Sequence, residues 1–221
     1  MSIPFSAAAA NAQDYFRLDA HDWKYEMRRE MQEILPGLWL GPYQCSKDKE
    51  LLQQKGISHI LCIRDTKEAH MVKAMFPTEF TYHFIEVSDS PLQNLIPYFP
   101  DAKQFIDRAL GDGKKVFVFC NGGISRSPAF VVAYVMESQR WDFKTAFSFV
   151  QNKRFCMNPN EGFKYQLAEY EPIFKARDAI TNMNYTPEQI LEQGMRRRPL
   201  EEDDMDNEDS SMIDDAPSTS H

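Results

Sequence analysis

The spacing of apolar residues switches between a short and a long period along this chain, and the switches mark its elements. Val116–Phe119 is a continuous apolar run, the pattern of a strand covered on both faces. Ile57–Arg64 and Phe80–Val87 are further β-rich runs. Elsewhere the period lengthens. Ile96, Phe99, Phe105, Ile106 and Leu110 share one face of a helix predicted over Leu92–Leu110. Ser46 is the predicted cap of a helix over Lys47–Lys55, which Gly56 stops, and Glu68–Met75 reads as a mixed, helical stretch. Helices are also predicted over Arg126–Ser138, Phe143–Lys153 and Asn160–Ala176. Pro36-Gly37 turns a hairpin whose second arm is Leu38–Gly41. Strands alternating with helices predict a three-layer α/β domain, with a mostly parallel central sheet flanked by helices. Ligands in such sheets bind beyond the carboxyl ends of the strands.

The pattern fades at both ends. Residues 1–27 read as a flexible extension, 28–178 as the domain, and 179–221 as a disordered acidic tail in which Thr186–Leu191 can form one short helix. The length of 221 residues fits one domain plus extensions. The net charge of −8 belongs to the tail, because nine of the 33 acidic residues lie between Glu201 and Asp215. The remaining body is close to neutral, which gives no basis for a nucleic-acid partner. No apolar run is long enough to span a membrane, and the N-terminus has no basic region ahead of an apolar core, so neither membrane nor secretion is expected. Cys45, Cys62, Cys120 and Cys156 form no CxxC pair. A disulfide framework or zinc site is therefore not expected, and a reducing, cytoplasmic setting is. Arg196-Arg197-Arg198 would add the nucleus if it acts in import.

One segment carries chemistry. In Val116–Ser127 a buried strand ends at Cys120; Asn121, Gly122, Gly123, Ile124 and Ser125 follow, and Arg126 begins a helix. Loop amides and a helix N-terminus make a concave anion site. Gly122 and Gly123 let the backbone fold tightly around a small tetrahedral anion. Arg126 adds a planar fork for two oxygens, and the same positive surroundings favour the nucleophilic thiolate of Cys120. Six residues beyond the other three cysteines stand Leu51, Glu68 and Gly162, none of them an arginine. Phosphoryl transfer to sulfur leaves an oxyanion that needs a proton. Asp89, just past a strand end and 31 residues before Cys120, can supply it; Asp101, inside a helix, is the rival.

Cys120–Ser127 resembles the signature of the dual-specificity phosphatases, His-Cys-x-x-Gly-x-x-Arg-Ser, and Asp89 and the stretch Asn158–Phe163 with Gln166-Leu167 are also similar to that family over about Glu33–Lys175. The resemblance implies Cys120 as nucleophile, Arg126 as phosphate clamp and Asp89 as general acid. It further implies that Ser127 eases departure of the thiolate, that Asn121 to Ser125 offer amides, and that Asn158 braces the loop. No cofactor or metal is implied, because arginine and amides supply the charge stabilisation. Met27–Leu38, Gly41–Tyr43, Gly123–Ser127 and Arg154–Asn160 are similar more narrowly to the serine/threonine/tyrosine-interacting branch of the family. Vertebrate members of that branch are pseudophosphatases with glycine in place of the nucleophile. The partners that this implies are phosphorylated proteins, MAP kinases and an F-box protein. This chain retains Cys120, but Phe119 stands where the signature has histidine. Phenylalanine makes no hydrogen bond and is expected to add apolar bulk beside the sulfur.

Two function classes follow: a protein phosphatase of weak activity, and a phosphoprotein-binding module without turnover. Lipid or RNA phosphate hydrolysis is disfavoured, since the loop holds no lysine. A monomer is expected. Weaker signals have plainer readings. Arg28-Arg29 fits packing beside the hairpin better than kinase docking, Ser211 with Asp214 three residues on is an acidophilic phosphorylation pattern in a tail, and His70 and His83 show no ligand spacing.

Overall fold

The computed structural model describes residues 23–182. The expectations for the N-terminal extension before Trp23 and for the tail, including Thr186–Leu191, Arg196–Arg198 and Ser211, lie outside the described residues.

Five strands form one sheet in the order β1-β2-β5-β3-β4. β1 (Gln32–Leu35) and β2 (Leu38–Pro42) make the antiparallel hairpin, turned at Gly37 with φ 81°. β2, β5 (Lys115–Cys120), β3 (Ile57–Arg64) and β4 (Thr81–Glu86) are parallel. β5 is therefore central, which explains its unbroken apolar run: Val116 to Phe119 are each 0 % exposed.

Side chains alternate along β5, and each face feeds its own core. Val116, Val118 and Cys120 join the larger cluster, against α2 (Phe99–Gly111), α3 (Arg126–Gln139), α4 (Phe143–Lys153) and α5 (Glu161–Asn182). Phe117 and Phe119 join the smaller one, with Tyr43, Leu52, Val72 and Phe80, under the short helix α1 (Lys49–Gln54) and the turns near it. These are the three layers expected. No described helix is long and apolar enough to cross a membrane.

Three boundaries differ from expectation, each because a turn residue outcompetes apolar periodicity. Asp48, not Ser46, caps α1 by accepting from the Leu51 N–H at 2.9 Å, and Ser46 is buried, donating to the Tyr43 carbonyl in a 3-10 turn over Tyr43–Lys47. The helix expected from Leu92 begins only at Phe99, after a 3-10 turn over Ile96–Tyr98, with Pro97 and Pro100 setting the two starts; Leu92 itself is exposed. The stretch Glu68–Met75 is not helical: a 3-10 turn over Thr66–Glu68, closed by reciprocal capping between Asp65 and Glu68, ends where that stretch begins.

Candidate active site

Cys120 ends β5 and Arg126 begins α3, so the loop between them spans strand end to helix start. Gly123 has φ 63°, and a Cβ there would lie 2.5 Å from the carbonyl of Gly41 and 2.9 Å from Arg154 Nη2, so only glycine fits. Every loop carbonyl is taken from outside. Tyr43 N–H donates to Asn121 O at 3.1 Å, Asn158 N–H to Ile124 O at 2.7 Å and Ala129 N–H to Ser125 O at 3.1 Å. The Arg154 side chain donates to Gly122 O at 3.4 Å and Gly123 O at 2.8 Å. In a planar trans peptide the N–H points opposite to the carbonyl. Carbonyls turned outward therefore turn the amides of Gly122 through Arg126 inward, over Cys120.

Cys120 is 2 % exposed at the floor of this loop, and Ser127 Oγ donates to its sulfur at 3.2 Å. Asp89 stands at the rim: Ser125 Oγ donates to Oδ1 at 2.6 Å, Asn160 Nδ2 donates to it at 2.9 Å, and Oδ2 lies 3.8 Å from Arg126 Nε. Arg126 is buried, and Nη1 and Nη2 both donate to the carboxylate of Glu68, at 2.5 and 3.0 Å. Its Nε is buried without a hydrogen-bond partner. Burial opposes the charge on Arg126, but the Glu68 hydrogen bonds and the nearby Cys120 and Asp89 outweigh it and hold its pKa above the usual guanidinium value. The same hydrogen bonds hold the Glu68 carboxyl below the usual range.

Burial pushes the Cys62 thiol up to about 12 and Cys45 up to about 11, and raises Cys156 as well. All three are thus held as thiols at neutral pH.

Residues 38–173 match the dual specificity phosphatase catalytic domain. The chain belongs to that family. It is 51% identical over 168 residues to the human serine/threonine/tyrosine-interacting protein, covering 75% of each chain. The crystal structure of the human tyrosine phosphatase-like serine/threonine/tyrosine-interacting protein matches with a TM-score of 0.65, over 66% of this chain and 98% of that one. Dual specificity protein phosphatase 22 of Xenopus tropicalis is 40% identical over 144 residues, covering 65% of this chain and 66% of its own.

The dual specificity phosphatase domain brings Cys120, Ser127, Arg126 and Asp89 together, and Asn158 touches the loop through its backbone N–H. Asp101 is engaged elsewhere, by His83 Nε2 at 2.7 Å. Asn121 differs in part: its carbonyl is turned outward, and its side-chain amide reaches Glu68 at 3.5 Å. Phe119 corrects an expectation. Its ring is on the opposite sheet face from Cys120, 5.6 Å from Tyr43 and 5.4 Å from Phe117, because neighbours on a strand point to opposite faces. It adds no bulk beside the sulfur.

Three site residues escaped the sequence reading. Glu68 was legible only as the end of a capping box, Asp65-Thr66-Lys67-Glu68. Asn160 and Arg154 stood in the stretches that carried the family resemblance but had no assigned role. Arg154 is 0 % exposed, and its guanidinium is spent wholly on neutral acceptors: the two loop carbonyls, the carbonyls of Arg28 and Glu30, and Gln32 Oε1. Burial pulls its pKa below the usual value, partly offset by Cys156, Cys120 and Cys45.

Proposed function

We propose that this protein hydrolyses phosphotyrosine and phosphoserine or phosphothreonine in phosphoproteins, through a cysteinyl-phosphate on Cys120, with weak turnover. The carrying observation is the convergence on one sulfur: the Ser127 hydroxyl at 3.2 Å, the inward loop amides above it, and Asp89 fixed at the rim by Ser125 and Asn160. In the first step the Cys120 sulfur attacks phosphorus, the S–P bond forms and the ester O–P bond breaks. Loop amides and Arg126 stabilise the equatorial oxygens, and a protonated Asp89 gives its proton to the leaving oxygen. In the second, water attacks phosphorus, Asp89 takes its proton, and the S–P bond breaks, releasing inorganic phosphate. Ser127 donates to the sulfur as negative charge returns to it.

One feature favours weak turnover: Glu68 already engages both Nη atoms of Arg126, so a phosphate shares that guanidinium with a carboxylate. That feature, with the similarity to the serine/threonine/tyrosine-interacting protein, favours a second reading in which the site binds phosphoproteins of kinase signalling, MAP kinases among them, without turnover.

Hydrolysis of a small aryl phosphate by the wild type and by Cys120→Ser separates the two. Turnover in the wild type alone, with phosphate trapped on Cys120, supports the enzyme. Equal rates in both, with phosphopeptide binding that Arg126→Ala abolishes, leave the binding module.

A further inference from the structure

The chain entering α5 touches both halves of the site. On the side of the phosphate-binding loop, the Asn158 N–H donates to Ile124 O at 2.7 Å and the Asn160 N–H to Ser125 Oγ at 3.2 Å. On the other side lies the loop Ser88–Leu95, which carries Asp89. Gln166 grips it at two points: its Oε1 accepts from the Leu95 N–H at 2.6 Å, and its Nε2 donates to the Gln93 carbonyl at 2.8 Å. Gln93 in turn closes the loop on itself, accepting from the N–H and the hydroxyl of Ser88 at 3.2 and 3.1 Å.

Gly162 makes the approach possible. It sits in the first turn of α5. A Cβ there would lie 2.1 Å from the Pro91 carbonyl oxygen and 2.6 Å from two further Pro91 backbone atoms. The glycine is thus required by the backbone of the Asp89 loop, not by the helix. Asn160 then fixes the carboxylate itself, donating to Asp89 Oδ1 at 2.9 Å.

We propose that the first two turns of α5 are a docking platform for the acid loop. Gly162 and Gln166 act as positioning residues and Asn160 aims Asp89, so the loop is in its working position before substrate binds. The chemical role assigned to Asp89 rests on the reading above, but the docking does not.

The test uses the full chain and two readouts. In hydrogen exchange without ligand, the amides of Ser88, Leu92, Gln93 and Leu95, each with an acceptor, should be protected. Gly162→Ala and Gln166→Ala should each raise exchange over residues 88–95 at least tenfold and leave residues 120–126 unchanged. Gln166 is half-buried, so its variant keeps the test alive if Gly162→Ala does not fold. In hydrolysis, both variants should lose at least tenfold more rate with phenyl phosphate than with an aryl phosphate of acidic phenol. Neither should lower further the rate of Asp89→Asn in the double variant. A wild-type loop that exchanges freely and is protected only on adding vanadate overturns the proposal, as does an equal loss across leaving groups. A wild type without turnover but with the expected exchange pattern defeats the enzyme reading and leaves the docking intact.

Discussion

The loop from Cys120 to Arg126 has two faces, and a buried arginine lies on each under opposite electrostatic rules. On the cleft face, Arg126 is paired with the Glu68 carboxylate through two nitrogens, and its Nε points toward Asp89. On the outer face, Arg154 has no carboxylate: its acceptors are backbone carbonyls and the Gln32 amide oxygen. A buried cation without a counterion is costly unless hydrogen bonds replace its hydration. Arg154 meets that condition with five acceptors, two of which are the loop's own carbonyls. The outer arginine thereby sets the loop's shape and adds positive charge behind it. The cleft arginine has its charge already balanced, and its Nε makes no hydrogen bond.

The sharpest test of that contrast is Arg154→Ala. It leaves buried carbonyls unpaired and opens a cavity the size of a long side chain, so a loss of about 4 kcal/mol is expected from urea unfolding. Arg126→Ala should cost less than half as much, because Glu68 keeps partial access to water. If the cleft variant were the less stable of the two, the division of labour would be wrong.

Next in size is Arg126→Lys. A lysine keeps one charge but cannot chelate Glu68 and also present a donor in the Nε position. Turnover of an aryl phosphate should fall about a hundredfold, with folding nearly unchanged. Arg154→Lys should show the reverse balance, a clear drop in the melting temperature with a smaller change in rate per folded molecule.

What the sequence disclosed follows the same division. Cys120, Arg126 and Ser127 were legible because strand, loop and helix are contiguous, so local order fixes their geometry. Asp89 was legible because parallel strands end on one edge of the sheet. Glu68 and Arg154 were not, because their contacts with the loop cross 58 and 31 residues of chain and leave no periodic trace. Proline and aspartate turn chemistry also overrode periodicity, at Phe99 and at Lys49, and moved two helix starts. The parallel sheet and its central strand came through intact, since a run such as Val116–Phe119 has no exposed face to pattern.

The pH dependence of stability sharpens the contrast further. The Glu68 carboxyl is held below its usual range by the Arg126 hydrogen bonds. A depressed carboxylate contributes stability that is full above the unfolded-state value of about 4.3 and is lost as pH falls through the folded-state value. The melting temperature of Glu68→Gln should therefore trail the wild type by a few degrees at pH 7, about 1 kcal/mol, and the gap should close below about pH 4.3. The gap for Arg154→Ala should persist there, since none of its partners is a carboxylate. A Glu68→Gln gap that stays constant down to pH 3.5 would remove the ion pair from the cleft face.

The smallest expected effect concerns Phe119, which lies next to Cys120 in sequence but across the sheet from it. Its ring is 0 % exposed in the cluster of Tyr43, Phe117, Leu52 and Val72, while the Cys120 side chain joins the cluster beneath α3 and α5. The backbone of β5 lies between them, paired on one edge with β2 through Gly41 and on the other with β3 through Cys62. Apolar surroundings disfavour a thiolate only where they replace its solvent or its donors. The donor to the Cys120 sulfur, the Ser127 hydroxyl, belongs to the other face. Phe119→His should consequently leave the rate of iodoacetate alkylation of Cys120 at pH 7 within about twofold of the wild type, measured where both proteins are folded. Ser127→Ala, which removes a donor on the sulfur's own face, should change it more. An alkylation rate that rises about tenfold in Phe119→His would show that the strand transmits the outer face's polarity to the sulfur, and the two faces of the loop would no longer be separable.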